Sequence, residues 1–337
     1  MHAISEGKDL PPDAAAALFG RMMDGDVSPV LTAALLAALR TRGETVPEIA
    51  AAARAMRARA ARLATSRQPL VDTCGTGGDF SGTFNVSTAA AFVAVAAGIP
   101  VAKHGNRAAS SRCGSADVLE AAGVAIDLPP DTCGRVLDRV GIAFLYAPNF
   151  HPATRHAIGP RREIRIRTVF NLLGPLTNPA GVRSQVIGVP SEDLVALVAE
   201  TLRELGTEHA LVVHGRDGLD EISVSAPTVV ATVRDDEIRW DEIAPEDLGL
   251  DRHPRETLAG SDASHNAALL RRVLEGKGTA AETAFVAANA GAAILVGGGA
   301  PDLKAGVAQA REILSTGAAA AALDELIKVS QEEAVRK

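Results

Sequence analysis

The chain has 337 residues, a formal net charge of −7, 22% charged residues, 3% aromatics and 31 glycines. That balance excludes a nucleic-acid binder working through a broad positive field, and it leaves too few aromatics for a base-stacking platform. The longest apolar stretch, residues 89–102, is about 14 residues, short of the roughly 20 that span a bilayer.

The first ten residues hold acids and no apolar core, so no signal peptide is expected. Cys74, Cys113 and Cys133 show no CxxC spacing. Reduced thiols in a cytoplasmic protein are the simplest reading.

Residues 10–64 read as helix throughout. Pro11, Pro12 and Asp13 mark a helix start. Leu18, Met22, Leu31, Leu35, Leu36 and Leu39 recur at three- and four-residue spacing, and Thr45 precedes Pro47 and Glu48 as an N-cap. A basic helical face follows between Arg54 and Arg62.

The character changes near Gln68. Short apolar runs at 70–72, 99–102, 124–126, 142–146, 184–189 and 210–214 predict strands. They alternate with Ala-rich or amphipathic helical stretches, which predicts an α/β domain with a mostly parallel sheet. Residues 229–240 alternate and carry charge, as an edge hairpin would. The stretch from His265 onward reads as helices around Gly297–Gly299. The resulting division is a small all-helical domain, 1–66, and a large α/β domain, 67–159 and 181–337. Residues 160–180 resemble the helical unit in composition and are expected to pack back onto it.

Four elements carry chemistry. Asp72-Thr73-Cys74-Gly75-Thr76-Gly77-Gly78-Asp79 follows a strand and runs through Thr83-Phe84-Asn85-Val86-Ser87-Thr88 into a helix. Glycine lets backbone approach a ligand, and a helix N-terminus favours anions. The GTGG loop matches neither the Walker pattern nor GxGxxG, and a simple capped turn stays open as its reading. Lys103 to Asp117 forms a second loop rich in cations and hydroxyls. Two such loops after parallel strands suit a ligand at the carboxyl ends of a sheet. Asp217-Gly218-Leu219-Asp220-Glu221 offers hard oxygen ligands for a magnesium ion. Arg161 and Arg162 offer guanidinium forks for a carboxylate.

Taken in order, GTGGD with TFNVST, KHGNRAASSRCGSAD, RTVFNLLGPLTNP and DGLDE resemble the anthranilate phosphoribosyltransferases of tryptophan biosynthesis, over essentially the whole chain. The resemblance implies transfer of phosphoribose from 5-phosphoribosyl 1-pyrophosphate to the amine of anthranilate, by a cytoplasmic homodimer. Gly75, Gly78, Asp79, Thr83, Asn85, Val86, Ser87 and Thr88 would hold the donor. So would Lys103, His104, Gly105, Asn106, Arg107, Ala108, Ala109, Ser110, Ser111 and Ser115. Gly75, His104, Asn106 and Arg161 would meet anthranilate, and Ser87, Asp220 and Glu221 would serve Mg²⁺. No single catalytic residue is implied; Lys103 and Asn85 would support the transition state. His104 as a mere hydrogen-bonding residue stays an equal reading.

Phe80 stands where the family favours a small residue, and Arg165 where glycine is common. Two other readings remain: nucleoside phosphorolysis on the same architecture, and a non-catalytic paralogue binding nucleic acid through the basic helix.

Overall fold

The computed structural model describes residues 2–108 and 112–336. Four helices open the chain: α1 (His2–Ser5), α2 (Pro12–Asp24), α3 (Pro29–Arg42) and α4 (Val46–Ala58). Pro12 starts α2 with Asp13 in its first turn, and left-handed Gly25 ends it at φ 85°. The Ser28 hydroxyl caps α3 by accepting from the Leu31 N–H. Leu31 itself lies half-exposed rather than in the core its spacing suggested.

Glu48 locks this unit together. Its carboxylate accepts from the N–H groups of Thr45 (3.0 Å) and Leu10 (2.9 Å) and pairs with Arg42. Its side chain is 1% exposed. Burial pushes this carboxyl up, but Arg42 and the two N–H donors outweigh it and hold the group below the usual glutamate range. The basic face beyond is committed inside the protein: Arg54 pairs with Glu204, Arg57 donates to the Leu176 carbonyl and Arg59 pairs with Asp24. That accounts for it without nucleic acid.

Seven strands form one sheet: β1 (Val71–Asp72), β2 (Val101–Gly105), β3 (Ile142–Tyr146), β4 (Ser184–Gly188), β5 (His209–Gly215), β6 (Thr228–Arg234) and β7 (Glu237–Ile243). Their order is β3-β2-β1-β4-β5-β6-β7. The first five are parallel, and β6 and β7 run antiparallel to their neighbours. Asp235 and Asp236, at φ 52° and 65°, make the two-residue turn of the edge hairpin.

Alternation along the strands serves two cores. Leu211 and Val213 face one, while Ala210 and Val212 face the other. The first core packs α5 (Val86–Ala96), α6 (Ser115–Ala121), α7 (Pro130–Val140) and α8 (Ala147–Phe150) with the four C-terminal helices: α12 (Ala263–Leu274), α13 (Ala280–Val296), α14 (Leu303–Thr316) and α15 (Ala318–Val335). Small residues let these helices approach closely: a Cβ on Gly291 would fall 2.5 Å from the Val307 nitrogen. The second core joins α2–α4 to the opposite sheet face, through α9 (Arg155–Ile164), α10 (Phe170–Leu176) and α11 (Asp193–Glu204). Helices α9 and α10 pack against the N-terminal helices in this core.

Three expectations are corrected. Residues 124–126 are not a strand: the Ala125 N–H bonds the Ser330 hydroxyl of α15 instead of a neighbouring strand. Residues 59–64 leave the helical path, where Arg59 turns to Asp24. Strand β2 begins after Pro100, which has no N–H to give, and extends through Lys103 and His104, read above as loop.

Replacing Glu48 by alanine is expected to cost about 3 kcal/mol, because the buried Arg42 loses its buried carboxylate and keeps only the exposed Asp9, 3.3 Å away, as an ion-pair partner. Urea unfolding measures this. Because the carboxyl sits below its ordinary 4.5, its contribution is present above that pH and fades as pH falls through the lowered value.

Candidate active site

The chain runs outward from β1 through β2 to β3, then returns to β4 on the other side of β1. Loops leaving β1 and β4 therefore diverge, which opens a crevice at their carboxyl ends. Three of the four elements identified from sequence meet around it.

The first loop crosses that crevice. Thr76 donates its N–H to the Gly188 carbonyl at 2.9 Å. Gly78 sits at φ 86° beneath a guanidinium: a Cβ there would fall 1.6 Å from Arg167 Nη1. Arg167 also donates to the Gly77 carbonyl at 3.1 Å. Asp79 accepts from the Ser81 N–H, an Asx turn that sends the chain back toward Thr83. Asn85 then leads into α5, where Val86 is buried, Ser87 is part-exposed and the buried Thr88 hydroxyl has no hydrogen-bond partner among the described residues.

Phe80 and Arg165, the two unusual residues, both have positive φ, 53° and 52°. A backbone in that region favours glycine over a side chain.

Lys103 lies on β2, 2% exposed, with its ammonium 3.0 Å from the Thr73 carbonyl, 3.2 Å from the Thr73 hydroxyl and 3.5 Å from the Ser87 hydroxyl. It therefore points from the second strand to the first loop. Beyond it, Asp117 accepts from the N–H groups of Ala108 and Gly114 and closes the second loop. Ser115 rests on Gly105, where a Cβ would come within 2.2 Å of its hydroxyl. Asn106 is exposed and accepts from the Arg107 N–H. Arg107 is not free: it pairs with Glu120 and Asp117 on α6. Ala109, Ser110 and Ser111 lie outside the described residues.

The acidic loop follows β5 and lies across the end of β4. A Cβ on Gly188 would fall 1.5 Å from the Asp220 carbonyl oxygen, so only glycine permits this crossing. Burial, the Asp79 charge and a hydrogen bond with Asp79 push Asp220 up to about 7. Burial and Asp220 raise Glu221 well above its ordinary range, against the pull of Lys103. None of Asp79, Asp220 and Glu221 has an ion pair among the described residues. Carboxylates crowded without a cation are a donor set that fits Mg²⁺, although no group of three or more His, Cys, Asp or Glu among the described residues forms a closed metal cage.

Arg161 on α9 is part-buried over the Phe170 ring, 5.1 Å from its centroid, and makes no ion pair among the described residues. Desolvation lowers its pKa, yet a guanidinium stays charged. The segment after it is tied to the strand ends. His104 Nδ1 donates to the Gly174 carbonyl at 2.9 Å, and Gln185 donates to that of Pro175 at 2.7 Å. Burial pushes His104 down to about 4 and its ring neighbour His151 to about 3, so both are neutral at pH 7. His104 therefore acts here as a hydrogen-bonding residue, with its Nε2 buried and without a partner among the described residues.

A glycine-rich loop, a buried lysine, an acid pair and an arginine with no ion pair among the described residues, in this order, lie in a chain that matches known proteins. The glycosyl transferase family helical bundle domain matches residues 1–60, and the glycosyl transferase family a/b domain matches 67–320. The anthranilate phosphoribosyltransferase of Rubrobacter xylanophilus is 54% identical over 336 residues, covering 100% of this chain and 98% of its own. The chain belongs to the anthranilate phosphoribosyltransferase family. It moves the phosphoribosyl group of 5-phosphoribosyl 1-pyrophosphate to anthranilate, giving N-(5-phosphoribosyl)anthranilate and pyrophosphate in tryptophan biosynthesis. The crystal structure of the Thermus thermophilus enzyme superposes with a TM-score of 0.93 at 47% identity, covering 98% of this chain and 100% of that one. The Saccharomyces cerevisiae enzyme in complex with PRPP and Mg superposes at 0.84 with 27% identity, covering 95% and 92%.

In this anthranilate phosphoribosyltransferase the fold also ties Asp72, the first residue of the first loop, to a partner that sequence reasoning passes over. Asp72, fully buried, accepts from the His104 N–H at 3.2 Å and from Asn178 Nδ2 at 2.7 Å. In sequence Asn178 is only a turn signal, and Arg167 only one of several arginines. Nothing in their local pattern marks them, because their partners lie 32 to 106 positions away.

Proposed function

We propose that the crevice between β1 and β4 holds the phosphoribosyl donor, with its pyrophosphate against the first loop and the start of α5. The observation that carries this is the convergence of Gly75–Asp79, Lys103 and Asp220–Glu221 on one end of the sheet, with carboxylates that have no ion pair among the described residues. Gly75, Gly78, Asp79 and Thr83 shape the cradle, and Ser87 and Thr88 offer hydroxyls to phosphate oxygens. Asn106, Gly105, Ala108 and Ser115 form the second wall. Ser87, Asp220 and Glu221 serve Mg²⁺, and that ion, when bound, neutralises charge building on pyrophosphate.

As the anthranilate amine bonds the anomeric carbon, the bond to pyrophosphate breaks and the sugar takes on cationic character. Lys103 is already aimed at the first loop, so its charge supports the leaving group with no reorganisation. An aniline amine is unprotonated at neutral pH, so no strong base is needed, which agrees with a neutral His104. Arg161 takes the acceptor carboxylate as a fork, with Gly75, Asn106 and His104 beside it. The Saccharomyces cerevisiae enzyme in complex with 4-fluoroanthranilate, at 25% identity and a TM-score of 0.85, supports such an acceptor site.

Residues 1–66 and 160–180 act as one helical domain beside the α/β domain. Val30, Leu31, Ile158 and Ile166 are exposed apolar residues on or beside α3 and α9, which pack together. That face supports a homodimer, and a biosynthetic role like that of its relatives supports a cytoplasmic setting. Among the described residues no helix is long and apolar enough to cross a membrane.

The purified protein with 5-phosphoribosyl 1-pyrophosphate, Mg²⁺ and anthranilate is expected to consume anthranilate fluorescence; persistence of the signal at high enzyme would sink the assignment. Arg161→Ala should raise the anthranilate KM by about tenfold to a hundredfold, as for loss of a charged hydrogen bond worth about 1.5–3 kcal/mol, with the donor KM little changed. Asp220→Asn with Glu221→Gln should instead raise the Mg²⁺ concentration for half-maximal rate by at least about tenfold. Loss of the same parameter in both variants would refute this division of roles.

A further inference from the structure

Residues 255–266 carry no role so far, yet they grip two loops of the site. The Gly260 N–H donates to the Gly82 carbonyl at 2.8 Å, and the Phe84 N–H donates to that of Leu258 at 3.1 Å. A Cβ on Gly260 would lie 2.9 Å from the Phe84 backbone, so this pairing needs glycine. Arg255 donates to the Asp217 carbonyl at 2.7 Å, where the acidic loop begins.

The grip ends in a side-chain junction. Asn266, in the first turn of α12, is 3% exposed. Its Oδ1 accepts from the Ser261 N–H at 2.8 Å, and its Nδ2 donates to Asn85 Oδ1 at 3.1 Å. Asn85 Nδ2 in turn donates to the Cys113 carbonyl at 3.1 Å, in the second loop. Both polar ends of Asn85 are thus engaged inside the protein, and its amide plane is set from two sides. α12 itself does not depend on this bond: Asp262 caps it through the His265 N–H, and Leu269, Leu270, Val273 and Leu274 anchor it in the core.

We infer that Asn266 is a positioning residue for the donor site, acting through Asn85 to hold the first and second loops at a fixed separation in front of α5. This rests on the assignment of Asn85 to the donor. Without the amide at 266, Asn85 keeps only its bond to Cys113, and its Oδ1 must find another donor. The two loops then lose their common reference, and the cost falls on donor binding.

A double-mutant cycle with steady-state kinetics tests this. Asn266→Ala is expected to raise the 5-phosphoribosyl 1-pyrophosphate KM about tenfold and leave the anthranilate KM within about twofold. Added to Asn85→Ala, the same substitution should change the donor KM by less than about twofold. An equal effect in both backgrounds, or a lowered melting temperature with the donor KM unchanged, would overturn the inference. Asn85→Ala without effect on the donor KM would overturn the placing of Asn85 itself, and the inference with it. Asn266→Asp, of the same shape, keeps the acceptor for Ser261 but loses the donor to Asn85. It gives the same comparison if the alanine variant does not fold.

Discussion

One buried carboxylate organises the end of the sheet where the site forms. β1 is two residues long and shares a single register pair with β2, so its ladder alone holds little. Asp72 completes the join with its side chain, taking hydrogen bonds from the β2 backbone at His104 and from Asn178 in the returning segment. Asn178 donates to the Ala102 carbonyl as well, at 2.7 Å. Burial pushes Asp72 up to about 6, against the opposing pull of Lys103, Asn178 and His104. A charged acceptor in that position makes each bond stronger than a neutral one. It also makes loss of any donor expensive, because the desolvated group is then left unpaired.

From that join the rest of the site follows. The returning segment, which carries α10, is tied to the strand ends through His104 and Gln185. Lys103 is held on a strand, not a loop, and so its direction is set by the sheet. The acidic loop reaches the first loop only because Gly188 has no side chain in its way. The glycines noted at the outset therefore divide into two kinds. Some, such as Gly78, combine positive φ with a side chain pressed against them, while others, such as Gly188 and Gly260, permit backbone to cross backbone.

Much of this is legible in the chain. The helical start, the α/β alternation and the edge hairpin all follow from periodicity, capping residues and turn chemistry, which act over a few positions. The four motifs are legible too, since a phosphate cradle must use glycine, hydroxyls and a helix start close together. The stretch at 124–126 misleads because an apolar triplet says nothing about whether a strand lies beside it. Here a serine from α15 takes the backbone donor instead.

Residue chemistry along the chain determined the family of the reaction and the side chains able to carry it. Tertiary structure decided which of them are free to act. Among the described residues Arg107 is held in ion pairs whereas Arg161 is not, His104 is a neutral strut, and Asp72, Arg167, Asn178 and Asn266 are part of the scaffold of the site. The physical reason is range. Capping, turns and amphipathicity are set by neighbours within about four residues. Ion pairing, desolvation and hydrogen bonding of a buried side chain depend on partners that only the folded chain brings within about 3 Å.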